Sequence, residues 1–116
     1  METIELLLSS YQKDNRRYVV TINNASKKRG EFVMRLEMME RRLIELAHTI
    51  ADTQDSTQLA LYNKQKCIMI DSYNELVEKL QTLITSTHKL MTRYELHKHD
   101  YIELLHSYNE MRRESS

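Results

Sequence analysis

The chain has 116 residues, with 17 basic and 17 acidic side chains, 41% apolar residues, one glycine and no proline. That length suits one domain and is too short for two ordinary ones, and zero formal charge argues against a chain drawn as a whole to nucleic acid or membranes. A single cysteine, Cys67, excludes an intrachain disulfide and fits a reducing, cytoplasmic setting.

The first ten residues, METIELLLSS, mix acids with a short apolar run and do not read as a secretory leader. No apolar stretch approaches the ~20 residues that span a bilayer, so no membrane partner is expected. Asn24-Ala25-Ser26 matches a glycosylation sequon but carries no weight without an export signal.

From Ile4 the apolar positions recur at alternating steps of four and three: Leu8, Tyr11, Tyr18, Ile22, Ala25, Phe32, Leu36, Met39, Leu43, Leu46 and Ile50. Only Asn15 and Arg29 interrupt the series. About seven heptads of one phase is well beyond the three or four that make a coiled-coil reading secure. The spacing predicts a first helical arm over residues 2–51.

Within it, INNASKKRGEF contains Gly30 behind three basic residues, the appearance of a helix C-terminus. No capping residue follows, and the phase runs through unchanged. The reading is a continuous helix with a weak point at 23–31, since an exposed glycine costs only ~1 kcal/mol relative to alanine.

Residues 52–56 lie in a segment, ADTQDST, rich in turn and cap formers, with Asp55 or Ser56 placed to cap the next helix. A second seam then begins out of phase with the first. It runs from Leu59 through Tyr62, Met69, Tyr73, Leu76, Leu80, Leu83, Leu90, Tyr94, His97, Tyr101, Leu104 and Tyr108 to Met111, with Lys66 and Thr87 as exceptions. The second arm is predicted over 57–113, with a soft spot at 85–88 that also keeps phase.

The expected fold is therefore all-α, a single domain over 1–116 built as a long antiparallel coiled-coil αα-hairpin. The alternative is a compact three- or four-helix bundle with turns near 24–30 and 85–88. The stripe is wider than one hairpin needs, with Val19, Val33 and Ala47 flanking the first seam and Ile70, Val77, Ile84, Met91 and Leu105 the second. Such width predicts dimerisation into a four-helix bundle, or docking of another helical protein.

Asn15 is the candidate register-setting polar residue, expected near Tyr94 or His97. Arg29 and Lys66 are expected to snorkel out of the seam. The tyrosines at Tyr73, Tyr94, Tyr101 and Tyr108 read as core with hydroxyls at the edge rather than as a stacking platform.

Two Glu-x-x-His pairs, Glu45/His48 and Glu103/His106, have the spacing of di-iron ligands but fall on the side away from the seam. His99, Glu103 and His106 share one face, close enough for a surface zinc or copper site, but the leading reading is a solvated polar face and no bound metal is expected. No catalytic grouping, phosphate loop or enclosed pocket is implied. Neither an enzyme, a small-molecule substrate nor a cofactor is expected.

Lys13, Arg16, Arg17, Lys27, Lys28 and Arg29 face one acid, Asp14, over residues 13–29 and could contact phosphates or an acidic protein. The leading expectation is a non-catalytic helical interaction protein, a scaffold, adaptor or assembly subunit acting as a homodimer. A small nucleic-acid-associated protein using 13–29 and a helical chaperone or antagonist of another protein are the alternatives.

Overall fold

A computed structural model describes residues 2–115. The chain is all-α: helix α1 spans Glu2–Asp52 and helix α2 spans Ser56–Ser115. Residues of rising number in α1 meet residues of falling number in α2, as in Glu5 with Tyr108, Asn15 with His97 and Glu40 with Tyr73. The fold is an antiparallel coiled-coil hairpin.

Both helices are uninterrupted, so the alternative bundle with turns near 24–30 and 85–88 is not the structure. Gly30 lies inside α1 without a positive φ, and a Cβ added there would meet nothing within 4 Å. Its helix-ending appearance is local only. The aliphatic seam on either side continues in one phase, and burying it outweighs the modest cost of a helical glycine.

The chain reverses over 53–55 without glycine or proline. Thr53 N–H donates to the Ile50 carbonyl at 3.3 Å, tightening the end of α1. Asp55 is the N-cap of α2. Its Oδ1 accepts from the Thr57 N–H at 2.8 Å and more weakly from the Gln58 N–H at 3.5 Å, and its carbonyl accepts from the Leu59 N–H at 2.9 Å. The two side-chain bonds satisfy donors that a helix start otherwise leaves open, and the third is the first regular bond of the helix.

The hairpin divides into two units. The turn unit is Lys27–Ile84; the terminal unit joins α1 up to Ser26 with α2 from Thr85 onward. In the turn unit the seam is mostly aliphatic, and Leu36 and Leu76 are its buried residues. In the terminal unit Leu8 is buried, while Tyr11, Asn15, Tyr18, Tyr94, His97 and Tyr101 are half-buried. Arg29, Lys66 and Met111 are the seam positions that stay exposed; for the two cations this is the snorkelling that their long stems allow.

Candidate interaction surfaces

Heptad letters place the surfaces, with Leu8 and Leu59 as a positions. The flanks on either side of the seam are then e and g, and antiparallel packing brings e beside e and g beside g.

In the terminal unit the seam is held by directional contacts. His97 Nδ1 lies 2.7 Å from Asn15 Oδ1, an acceptor, so that Nδ1 carries the proton. His97 Nε2 is 3.7 Å from Asp14 Oδ2. The imidazole sits 4.6 Å from the Tyr11 ring and 5.5 Å from the Tyr18 ring. Asn15 therefore pairs across the seam with one of the two partners expected for it. Gln12 donates to the Tyr101 hydroxyl at 3.0 Å, and the Tyr108 hydroxyl donates to Glu5 at 2.8 Å. Tyr101 and Tyr108 thus line the seam half-buried, with their hydroxyls bonded at its edge.

In the turn unit the Tyr73 hydroxyl donates to Glu40 Oε1 at 2.6 Å, bringing an a position to the e flank. That hydrogen bond to a carboxylate, then partial burial and the carboxylate's charge, hold the Tyr73 phenol above its ordinary 10.0. Tyr108 is raised for the same reasons by Glu5, with Arg112 opposing.

Of the expected interaction residues, Val19, Val33, Ile70, Ile84 and Met91 are exposed, at 38% to 45%, while Val77 and Leu105 are half-buried. Within the turn unit Val33, Ile70, Val77 and Ile84 all occupy e positions and form one flank. Next to them at b positions lie Gly30, Ile44 and Cys67, all exposed.

The opposite, g flank of the turn unit is basic. Lys28, Arg35 and Lys79 surround a groove of about 490 Å³ whose floor includes Phe32, Met39 and Leu76. Sequence proximity pointed to 13–29, but those six cations scatter around α1, at f, b and c positions for Lys13, Arg16 and Arg17 and at f, g and a for Lys27, Lys28 and Arg29. Only Lys28 of the six reaches this groove; Arg17 lines a separate one in the terminal unit with Asp14, Tyr18, Thr21, Leu90 and His97. Arg35 and Lys79 escaped the sequence reading because they lie on different helices. Writing out the g positions of both seams would have joined them.

No family model, curated protein or solved structure matches the chain.

The histidines of α2 engage carboxylates singly. His99 Nε2 is 3.1 Å from Glu103 Oε1, and His106 Nε2 is 3.2 Å from Glu110 Oε1, one turn further on. All four side chains are well exposed. Among the described residues no three His, Cys, Asp or Glu side chains are grouped to hold a metal. Glu45 and His48 are likewise exposed. Among the described residues no helix is long and apolar enough to cross a membrane.

Proposed function

We propose that the protein is a non-catalytic helical interaction protein, an assembly subunit or scaffold that associates with itself through its coiled-coil surfaces. The observation that carries this reading is the apolar e flank of the turn unit, where Val33, Ile70 and Ile84 stand exposed beside half-buried Val77. A flank of that kind is what a helix presents when it has more than one neighbour.

Area supports the same reading. The chain exposes 9267 Å², whereas a compact monomer of 13.9 kDa exposes about 6,700 Å². The flanks are part of this exposed surface, and a standard stable interface covers roughly 800 Å² per partner. Among the described residues only Leu8, Leu36 and Leu76 are buried, so the seam alone removes little apolar surface from water. Association would bury the flanks and add the driving force that two helices lack. Asn15 and His97 would contribute alignment rather than affinity, since a polar pair in a seam holds register at some cost in stability.

Size-exclusion chromatography with light scattering tests the reading directly. Two or more copies per particle is the expected result. A mass of 13.9 kDa at every concentration would overturn it.

A further inference from the structure

We propose that copies of the chain dock side-on through two different faces of the turn unit, the acidic, apolar flank of one copy seating on the basic groove of the next. This inference rests on the self-association proposed above and specifies its geometry.

The e and b flank and the g row carry opposite charge. At the e and b positions of residues 27–84 there are two acids, Glu37 and Glu40, and no lysine or arginine. Val33, Ile44, Ile70 and Ile84 supply exposed apolar surface between them. At the g positions of the same unit there are four bases, Lys28, Arg35, Arg42 and Lys79, and no acid. The neighbouring c positions hold Glu31, Glu45, Asp52 and Glu75, which match the g bases in number, so the cationic character belongs to the groove itself, where Lys28, Arg35 and Lys79 meet Glu75 as the one acid; the c positions also hold exposed Met38, Leu61 and Ile68. Of the four bases, Lys79 is engaged by Glu75 at 3.6 Å, a surface pair of small worth, and the Lys28 ammonium lies 5.7 Å from the Phe32 ring centroid.

These charges decide between two ways of pairing. A two-fold symmetric pair packed flank to flank would place Glu37 and Glu40 against an identical acidic surface with no base on either flank to offset them. Removing like charges from water together is costly. Flank on groove instead sets Glu37 and Glu40 against Lys28 and Arg35, with apolar side chains on both sides. Gly30 is at a b position of the flank, where the space an added Cβ would occupy is empty. There the backbone of α1 is bare and a neighbour can approach closely. Because donor face and acceptor face differ, each docked pair leaves one of each free, and the association is open-ended or closes only as a ring.

Reciprocal charge reversal tests this. One variant carries Glu37→Lys with Glu40→Lys, the other Lys28→Glu with Arg35→Glu; all four positions are exposed, and helicity is checked by circular dichroism. A milder pair, Lys28→Gln with Arg35→Gln, serves if the reversed groove misfolds. In low salt the unaltered chain is expected to grow past twice 13.9 kDa as concentration rises. Each variant alone is expected to associate about tenfold more weakly or worse, and an equimolar mixture to regain assembly, because each then offers the face that the other lacks. A groove variant that still forms a dimer as tight as the original, stopping at two copies, would overturn flank-on-groove docking while leaving self-association standing. An unaltered chain that stays monomeric throughout would overturn both.

Discussion

The two units solve the same problem with different chemistry. In the turn unit Phe32, Leu36, Met39 and Leu43 of α1 work with Leu76, Leu80 and Leu83 of α2, a seam that gains by burial and tolerates sliding. In the terminal unit Asn15, His97 and the tyrosines hold the helices through hydrogen bonds and ring contacts, which have direction but bury less. A hairpin therefore separates affinity from alignment along its length. Aliphatic heptads supply the cohesion, and one polar layer specifies which residues meet.

That contrast is best broken first where cohesion is concentrated. Leu36→Ala and Leu76→Ala, at the two buried seam positions of the turn unit, are each expected to cost about 2–3 kcal/mol in urea unfolding followed at 222 nm. Tyr18→Ala in the terminal unit should cost less, because its ring remains half in water. Equal losses in both units would erase the distinction.

A smaller effect should come from the polar layer. Asn15→Ala strips His97 of its acceptor, and the loss is expected at about 1 kcal/mol. A double-mutant cycle with His97→Ala should return a coupling of at least about 0.5 kcal/mol. No coupling would make Asn15 an ordinary wet side chain.

Gly30→Ala should stabilise the isolated hairpin by up to about 1 kcal/mol, read as a rise in melting temperature at dilution. A fall would reveal crowding at a position where the structure has open space.

Finest of all is an alkaline effect. Tyr73 and Tyr108 have phenols raised above 10.0 by their bonds to Glu40 and Glu5. A raised folded value means that this stabilisation is complete below the unfolded value near 10 and is lost as pH climbs through the folded one. Melting curves of Tyr73→Phe and Tyr108→Phe should therefore decline less steeply above pH 10 than those of the parent chain. Parallel curves would deny the bonds any energetic role.

Much of this molecule is legible in its residues. The heptad seam named most of the half-buried positions, because a seam of constant phase faces the partner helix; Arg29, Lys66 and Met111 lie on it yet stay exposed, and Asp14, Thr53, Val77 and Leu105 are half-buried off it. The turn was legible from two facts, a phase break and Asp55 beside Ser56, although only the structure chose Asp55 as the cap. Gly30 was read correctly from phase despite its helix-ending look, since capping preferences are worth ~1 kcal/mol and the seam on either side outweighs them. The basic groove was hidden for another reason. Lys79 and Arg35 are far apart in sequence, and only the pairing of two g flanks makes them neighbours.

The reversal at 53–55 also predicts an order in time for the assembly of the hairpin. Cross-seam bonds link residues 33 apart at Tyr73 and Glu40, 82 apart at His97 and Asn15, 89 apart at Gln12 and Tyr101, and 103 apart at Tyr108 and Glu5. Closing the longest loop first costs the most chain entropy, whereas closure from the Asp55 cap outward adds each contact to a loop already shut. The hairpin is expected to zip from its turn. Asp55→Ala should then slow folding, while Gln12→Ala should mainly hasten unfolding, a difference that stopped-flow kinetics would read directly.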